Sequence, residues 1–390
     1  MIQIDGEYLL ERLRALLATP SPSGYTDSIV RECCAELSQL GVDYELTRRG
    51  AIRARVPGRA EQPARAIASH VDTLGAQVKR LKDNGRLEVV PIGTWSARFA
   101  EGARCTVFTD TTGYRGSILP LKASGHTYGD EVDSAPVGWE HVELRLDLKV
   151  GSADGLRDFG IAVGDTVAID PAPEFLENGY VVSRHLDDKG GVAACFAALK
   201  ALVEGDELPA VDTYFLFTVS EEVGVGASSV LGHDIAALVS VDNGTTAPGQ
   251  NSSEYGVTIA MADQTGPFDF HLTRKLIRLC RDHGIGYQRD VFRHYRSDSA
   301  AALVSGADIR VGLVTFGIDA SHGYERIHCD ALESVARLLV AYARSEVQIP
   351  RDADELGSLE GFTRQSLEVS ERPEAGEVHA DEEPPGPGAT

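Results

Sequence analysis

The chain is 390 residues long, 43% hydrophobic and 25% charged. That balance is ordinary for a soluble globular protein, and the length allows two to three domains or one large α/β domain with an insertion. Against 37 Lys and Arg stand 59 Asp and Glu, a net charge of −22, which speaks against nucleic-acid binding because that needs a basic surface; no apolar run reaches the roughly 18–20 residues of a membrane span, so no membrane partner is expected either.

The N-terminal stretch MIQIDGEYLLERLRALLATP carries acids inside its apolar run. It therefore reads as an amphipathic helix over residues 5–17 and not as a signal peptide. A second helix is predicted over 26–40, with Thr26 as its N-cap. The alternating runs VDYELTRR, AIRARV and ARAIASH then read as strands. From about 78 to 182 the pattern changes to short strands, LEVVPIG, RCTVFTD, RGSILPL, HVELRLDL, DTVAIDP and YVVS, interrupted by one short helix near 152–159. This predicts an inserted β domain over 78–182.

Beyond it, helix and strand alternate. GGVAACFAALKALVEG is a helix, and the nearly all-apolar DTYFLFTVS is a strand covered on both faces. AALVSVD and GVTIAMAD are strands, FDFHLTRKLIRLCRDHG is a helix ended by Gly284, DSAAALVSG a short helix, RVGLVTFG a strand and DALESVARLLVAYARSE the last helix. The expected fold is α/β, with a mixed, mostly parallel sheet flanked by helices. It is divided into residues 1–77 and 183–350, the insertion 78–182, and an acidic tail over 351–390 that lacks the apolar content to fold. The six cysteines include no CxxC pair, and without an export signal they are expected as reduced thiols in a cytoplasmic protein.

Five segments each place a metal-competent side chain just after an apolar strand, where open α/β sheets build their sites. In ARAIASHVDTLG, His70 ends a strand and Asp72 stands ready to orient its other ring nitrogen; a polar loop reads equally well. In VVSRHLDDKGG, Asp187 and Asp188 precede a Gly-Gly helix start, where Asp188 also reads as a helix N-cap. In FLFTVSEEVGVGAS, Glu221 and Glu222 follow a buried strand, a costly place for paired like charges unless something offsets them. In ALVSVDNGTTAPG, Asp242 is a further strand-end carboxylate, or an Asx turn. GLVTFGIDASHGYERIHCD offers His322 and His328. Singly these signals are weak; together they supply two histidines and three carboxylates with a Glu to spare. Such mixed ligation suits two divalent ions, zinc first and cobalt or manganese next.

HVDTLG, DDKGG, SEEVG, the VD of VSVDNG and SHGYE together resemble the motifs of metallopeptidase family 42 of clan MH, the glutamyl and deblocking aminopeptidases, over roughly residues 5–346. TRRG, LKDNGRL, GTWSARFAEGAR, RSDSA and FGIDASHGYER resemble a bacterial branch associated with the N-acetylglutaminylglutamine amide osmoprotectant system. The resemblance implies a phosphorylase/hydrolase-like catalytic domain with a β-barrel or PDZ-like insertion serving oligomerisation or substrate access. It implies His70 and Asp242 on one metal, Glu222 and His322 on the other, Asp187 bridging with a cis peptide to Asp188, Glu221 as general base and Asp72 behind His70. It further implies a peptide or dipeptide substrate and a dimer-based homo-oligomer, up to a dodecamer. The sequence departs from the family at Thr73, commonly Glu, at Lys189, commonly Arg, and in a His322-to-Glu325 spacing one residue shorter than usual.

Three other readings compete. A family-20-like carboxypeptidase or N-acyl-dipeptide amidohydrolase is favoured by Lys189, but there the small domain follows the Glu-Glu motif. A glycoside hydrolase would use two carboxylates as acid and nucleophile, which adjacent Glu221 and Glu222 serve poorly. A silent scaffold of the same fold is at odds with the full ligand set. Arg296 and Asp298 read as braces of the site, and Trp95 and Trp139 as core or interface residues of the insertion.

Overall fold

The structure, a computed structural model, describes residues 2–367. Its main sheet has nine strands. Ala64–His70 lies at its centre, paired in parallel with Thr213–Thr218 on one side and Ile235–Thr245 on the other. Ile235–Thr245 pairs in parallel with Arg310–Ile318; Asp43–Leu46, Ile52–Val56 and Val257–Asp263 add antiparallel pairings, and Tyr287–Val291 runs parallel to Val257–Asp263. These central strands are almost wholly buried, which is why they read as continuous apolar runs and not as alternating ones.

The helix Leu186–Val203 is apolar all round and buried for most of its length. It packs on the two central strands and is itself covered by the helices Gly6–Ala18 and Cys329–Arg344, the arrangement that lets a helix dispense with a polar face. Helix termini fall close to their sequence signals. Asp5 and Asp269 cap their helices with side-chain hydrogen bonds, and Gly284 ends Phe270–His283 in the left-handed region at φ 64°. Thr26 occupies its N-cap position, but its side chain makes no capping bond.

The insertion is a closed barrel of six strands, running from Gly75 to Ile169 with its own buried core around Val89, Val107, Leu144 and Val167. It starts and ends earlier than the expected 78–182. Gly75–Leu81 has few apolar side chains among Gln77, Lys79 and Arg80, so it carries little strand signal. Tyr180–Ser183 leaves the barrel to join a small sheet with Glu174–Phe175 and Glu325–His328, a pairing that no local pattern announces.

The first residues of the stretch expected as a tail are anchored. Pro350–Ala353 forms a 3-10 turn, and Asp352 pairs with Arg310. The expectation of disorder for 368–390 lies outside the described residues. Among the described residues no helix is long and apolar enough to cross a membrane.

Candidate active site

Strand register assembles the site. Thr218 stands opposite His70, so Glu221 and Glu222, just past the end of their strand, arrive beside the histidine. Asp242 lies near the end of its own strand, opposite Thr315 of the strand that leads to His322. Asp187 comes from the non-helical opening of the buried helix, where the peptide to Asp188 is cis.

Two trios result. His70, Glu221 and Asp242 each offer a donor atom within 4.8 Å of the others, and Asp187, Glu222 and His322 do the same. Asp187 faces both trios, with Oδ1 3.2 Å from His70 Nε2 and Oδ2 3.3 Å from His322 Nε2. Glu221 Oε2 lies 3.8 Å from His70 Nε2, and Glu222 Oε2 3.7 Å from His322 Nε2. His328 is elsewhere: it caps the last helix, with Nδ1 accepting from the Asp330 amide and Nε2 3.0 Å from the Asn178 carbonyl.

The ion pairs of Asp187, Glu221 and Glu222 are all to histidine. Burial pushes Glu221 and Glu222 well above the usual carboxylate range and Asp242 to about 8, with neighbouring carboxylates adding to the rise against the pull of the histidines. Asp187 differs: burial opposes its charge, but hydrogen bonds with His322 and His70 hold it ionised. A buried group of carboxylates facing two imidazoles is stable in its charged form only with added positive charge. Its oxygen and nitrogen donors are those that divalent zinc, cobalt or manganese accept, so the residues fit a pair of such ions.

The surrounding groups set these side chains. His70 Nδ1 meets the backbone carbonyl of Asp72 at 3.0 Å, while the Asp72 carboxylate is 3.7 Å away. The carboxylate instead accepts from Ser23 and, at 3.1 Å, from the Glu221 amide. Asp72 thus fixes the backbone of the glutamate as well as standing beside the histidine, a direction the sequence did not reveal. Asp188 does not cap its helix through its side chain; it accepts from the Ser69 hydroxyl and the His70 amide. Gly191 leaves room for it, since a Cβ there would stand 2.2 Å from Asp188 Oδ1.

Lys189 turns away from the cluster and donates to the carbonyls of Leu16 and Thr19, 2.8 and 2.7 Å away, at the C-terminal end of the first helix. Asp298 accepts from Thr218, a brace at the end of a central strand, whereas Arg296 is exposed. Trp95 and Trp139 stack edge to face and tie the barrel to its first strand through Gly75.

Three further groups had no role assigned from the sequence. Glu325 accepts from the amides of His322, Leu186 and Asp187, and so fixes the two chain segments that carry the second trio. Asn243 donates to Asp187 Oδ2 at 2.7 Å. The Thr94 carbonyl, from the barrel, lies 2.9 Å from His322 Nδ1. Glu325 was visible as the glutamate after SHGY; a backbone carbonyl leaves no signal in residue type. A narrow cleft adjoins the second trio, walled by Leu74, Trp95, Ile169 and Arg184.

A barrel inserted in a mostly parallel α/β sheet, with histidines and carboxylates gathered at the strand ends, defines a hydrolase whose site is suited to metal ions. A sequence model of the M42 glutamyl aminopeptidases matches residues 50–338. The chain belongs to the M42 peptidase family, metal-dependent aminopeptidases that hydrolyse peptides. YhfE of Bacillus subtilis, described as a candidate aminopeptidase, is 37% identical over 338 residues, which cover 86% of this chain and 97% of that protein. The fold is shared with the TET1 peptidase of Pyrococcus horikoshii, described as assembling into a tetrahedron or a large octahedral shell, at a TM-score of 0.76 and 24% identity over 86% of this chain and 99% of that one. It is shared also with a Thermotoga maritima protein described as an endoglucanase, at a TM-score of 0.65 and 19% identity over 85% and 96%.

Proposed function

We propose that this chain is a co-catalytic di-metal aminopeptidase that releases N-terminal residues from peptides. The observation that carries the reading is Asp187, whose two oxygens face a histidine of each trio. His70 and Asp242 would hold one ion and Glu222 and His322 the other, with Asp187 between them. Two bound divalent ions, zinc by choice of donors, supply an activated water and a polarised carbonyl.

The rest of the reaction falls to the chain. Glu221 is the more open of the paired glutamates, its side chain 14% exposed against 4% for Glu222. It can therefore take a proton from the attacking water and pass it to the leaving amine. Asp72 accepts from the Glu221 amide, which holds the backbone of that residue in place. Leu74, Trp95 and Ile169 keep one side of the adjoining cleft apolar and give the substrate a surface to pack on.

The likeness to the TET1 peptidase, described as assembling into a tetrahedron or an octahedral shell, supports a homo-oligomer, and six free cysteines support a cytoplasmic home. An N-acyl-dipeptide amidohydrolase loses its sequence support, because Lys189 serves the first helix and not the substrate. A role in osmoprotectant dipeptide metabolism would require a substrate with a freed α-amine, since N-acetylglutaminylglutamine amide has none. The test is metal analysis of the purified protein, then a panel of aminoacyl and N-acyl dipeptides with and without chelator. Release of N-terminal residues that chelation abolishes is expected. Cleavage confined to blocked dipeptides, or indifference to chelator, overturns the reading.

A further inference from the structure

At the opposite end of the strands from the trios, where Ala64–His70, Ile235–Thr245 and Arg310–Ile318 begin, lies a second cleft, partly open to solvent. Its apolar walls include Ala236, Ala237, Leu272, Tyr342 and Ile349. Three cations line it. Arg310 is neutralised by Asp269, 2.9 Å away, and by Asp352. Arg65 and Lys275 are not neutralised. Both sit by the ring of Tyr342, the Arg65 Cζ 4.9 Å and the Lys275 Nζ 5.6 Å from its centroid.

Their hydrogen bonds go to uncharged oxygens. Arg65 Nη1 reaches the Tyr342 carbonyl and, at 3.1 Å, Ser345 Oγ, while Lys275 Nζ reaches the Glu346 carbonyl at 2.7 Å. These bonds satisfy the end of the last helix and use one guanidinium nitrogen and one ammonium hydrogen. Among the described residues neither cation forms an ion pair. Glu346, the nearest acid to bear on both, is directed to Arg59 and is largely exposed. Two neighbouring cations in an apolar recess are unfavourable unless a negative group lies between them or the lysine gives up its proton. Burial and the nearby Arg65 push Lys275 down to about 7, the mark of a cation short of counter-charge.

We propose that this cleft binds a small organic anion, with a carboxylate or phosphate between Arg65 and Lys275 and an apolar body against Leu272, Tyr342 and Ile349. Small-molecule sites likewise pair apolar walls with a few polar anchors. The cleft is separate from the metal-suited cluster, so it does not depend on the aminopeptidase reading.

The test is calorimetric titration of the purified full-length protein with benzoate, phenyl phosphate, inorganic phosphate and neutral benzyl alcohol, on wild type and on Lys275→Gln. Lys275 is half-buried and its substitution is expected to leave the fold intact; Arg65→Gln, at a fully buried position, is a second variant to be scored only if its thermal transition survives. Benzoate or phenyl phosphate should bind the wild type, and Lys275→Gln should weaken that binding at least tenfold without changing the basal rate of peptide hydrolysis. Tighter binding of phenyl phosphate than of inorganic phosphate would show that the apolar wall is used, and the order of benzoate and phenyl phosphate would identify the preferred head group. Failure of every anion to bind, equal binding of benzyl alcohol, or affinity that Lys275→Gln leaves unchanged overturns the proposal.

Discussion

The barrel and the edge of the main sheet treat acids in opposite ways. On the barrel, Glu143 lies between Lys82 and Arg86, Asp147 against Arg104 and Asp170 against Arg115. Glu143 and Asp147 are held below the usual carboxylate range. For Glu143 the hydrogen bonds from Lys82 and Arg86 outweigh burial, and for Asp147 the bond from Arg104 decides. At the strand ends of the main sheet the ion pairs of the carboxylates are to histidine alone, and burial pushes the carboxylates up, with the exception of Asp187. One region carries its own compensation, and the other is built to receive it from outside. The positive charge missing from the sheet edge is therefore a specification for the ligand.

The largest effect should come from the residue that faces both halves. Asp187→Ala is expected to lose both metal equivalents and nearly all peptide hydrolysis, measured by elemental analysis and a rate assay; two tightly bound equivalents in the variant would remove Asp187 from its role. Glu221→Gln should keep its metals and lose activity by about 10²–10⁴-fold, the usual contribution of a general base. Unchanged turnover would take the base assignment away from Glu221.

Stripping the ions with chelator should lower the thermal midpoint, because a ligand at about a hundred times its Kd stabilises by about 2.7 kcal/mol. The midpoint lost to Glu143→Gln should be the same with and without chelator. The cost of that substitution, about 1–3 kcal/mol, comes from Lys82 and Arg86 losing their charged partner.

The two regions should also differ in the sign of their pH dependence. Glu143 is lowered from 4.5, so its contribution is present above that value and disappears as pH falls through the lowered one. Asp298 is raised by burial from 3.8 to about 6, so its contribution is full below 3.8 and is lost as pH climbs through about 6. In metal-free protein, Asp298→Asn should therefore gain on the wild type as pH rises across that window, while Glu143→Gln should gain on it as pH falls below 4.5. Melting curves over pH check both; parallel curves would erase the distinction. The smallest effect belongs to the exposed pair of Arg104 and Asp147: Arg104→Ala should leave the midpoint where it is, as exposed pairs contribute little.

Much of the sheet edge was legible because chemistry and periodicity coincide there. His70, Glu221, Glu222, Asp242 and His322 each follow or close an apolar strand, and a polar group in that place needs a reason. What stayed hidden was set by geometry with no trace in residue type. The strand Gly75–Leu81 is half solvated and shows no clean alternation, and the small sheet joins segments far apart in the chain. The Asp72 carboxylate turns to an amide and not to the imidazole. Lys189, a notable departure within a metal motif, proved to be the C-terminal partner of another helix.

The barrel enters and leaves the sheet through neighbouring strands, since Ala76 pairs with Val167 and Gln77 with Thr166. Topologically it is a cassette: its two ends meet, and a short splice would close the chain behind it. Chemically it cannot be exchanged so freely, because the Thr94 carbonyl that receives His322 Nδ1 travels with it. Any graft of a foreign barrel at this junction would have to reproduce that one acceptor, or the second trio would lose the ring orientation on which its histidine depends.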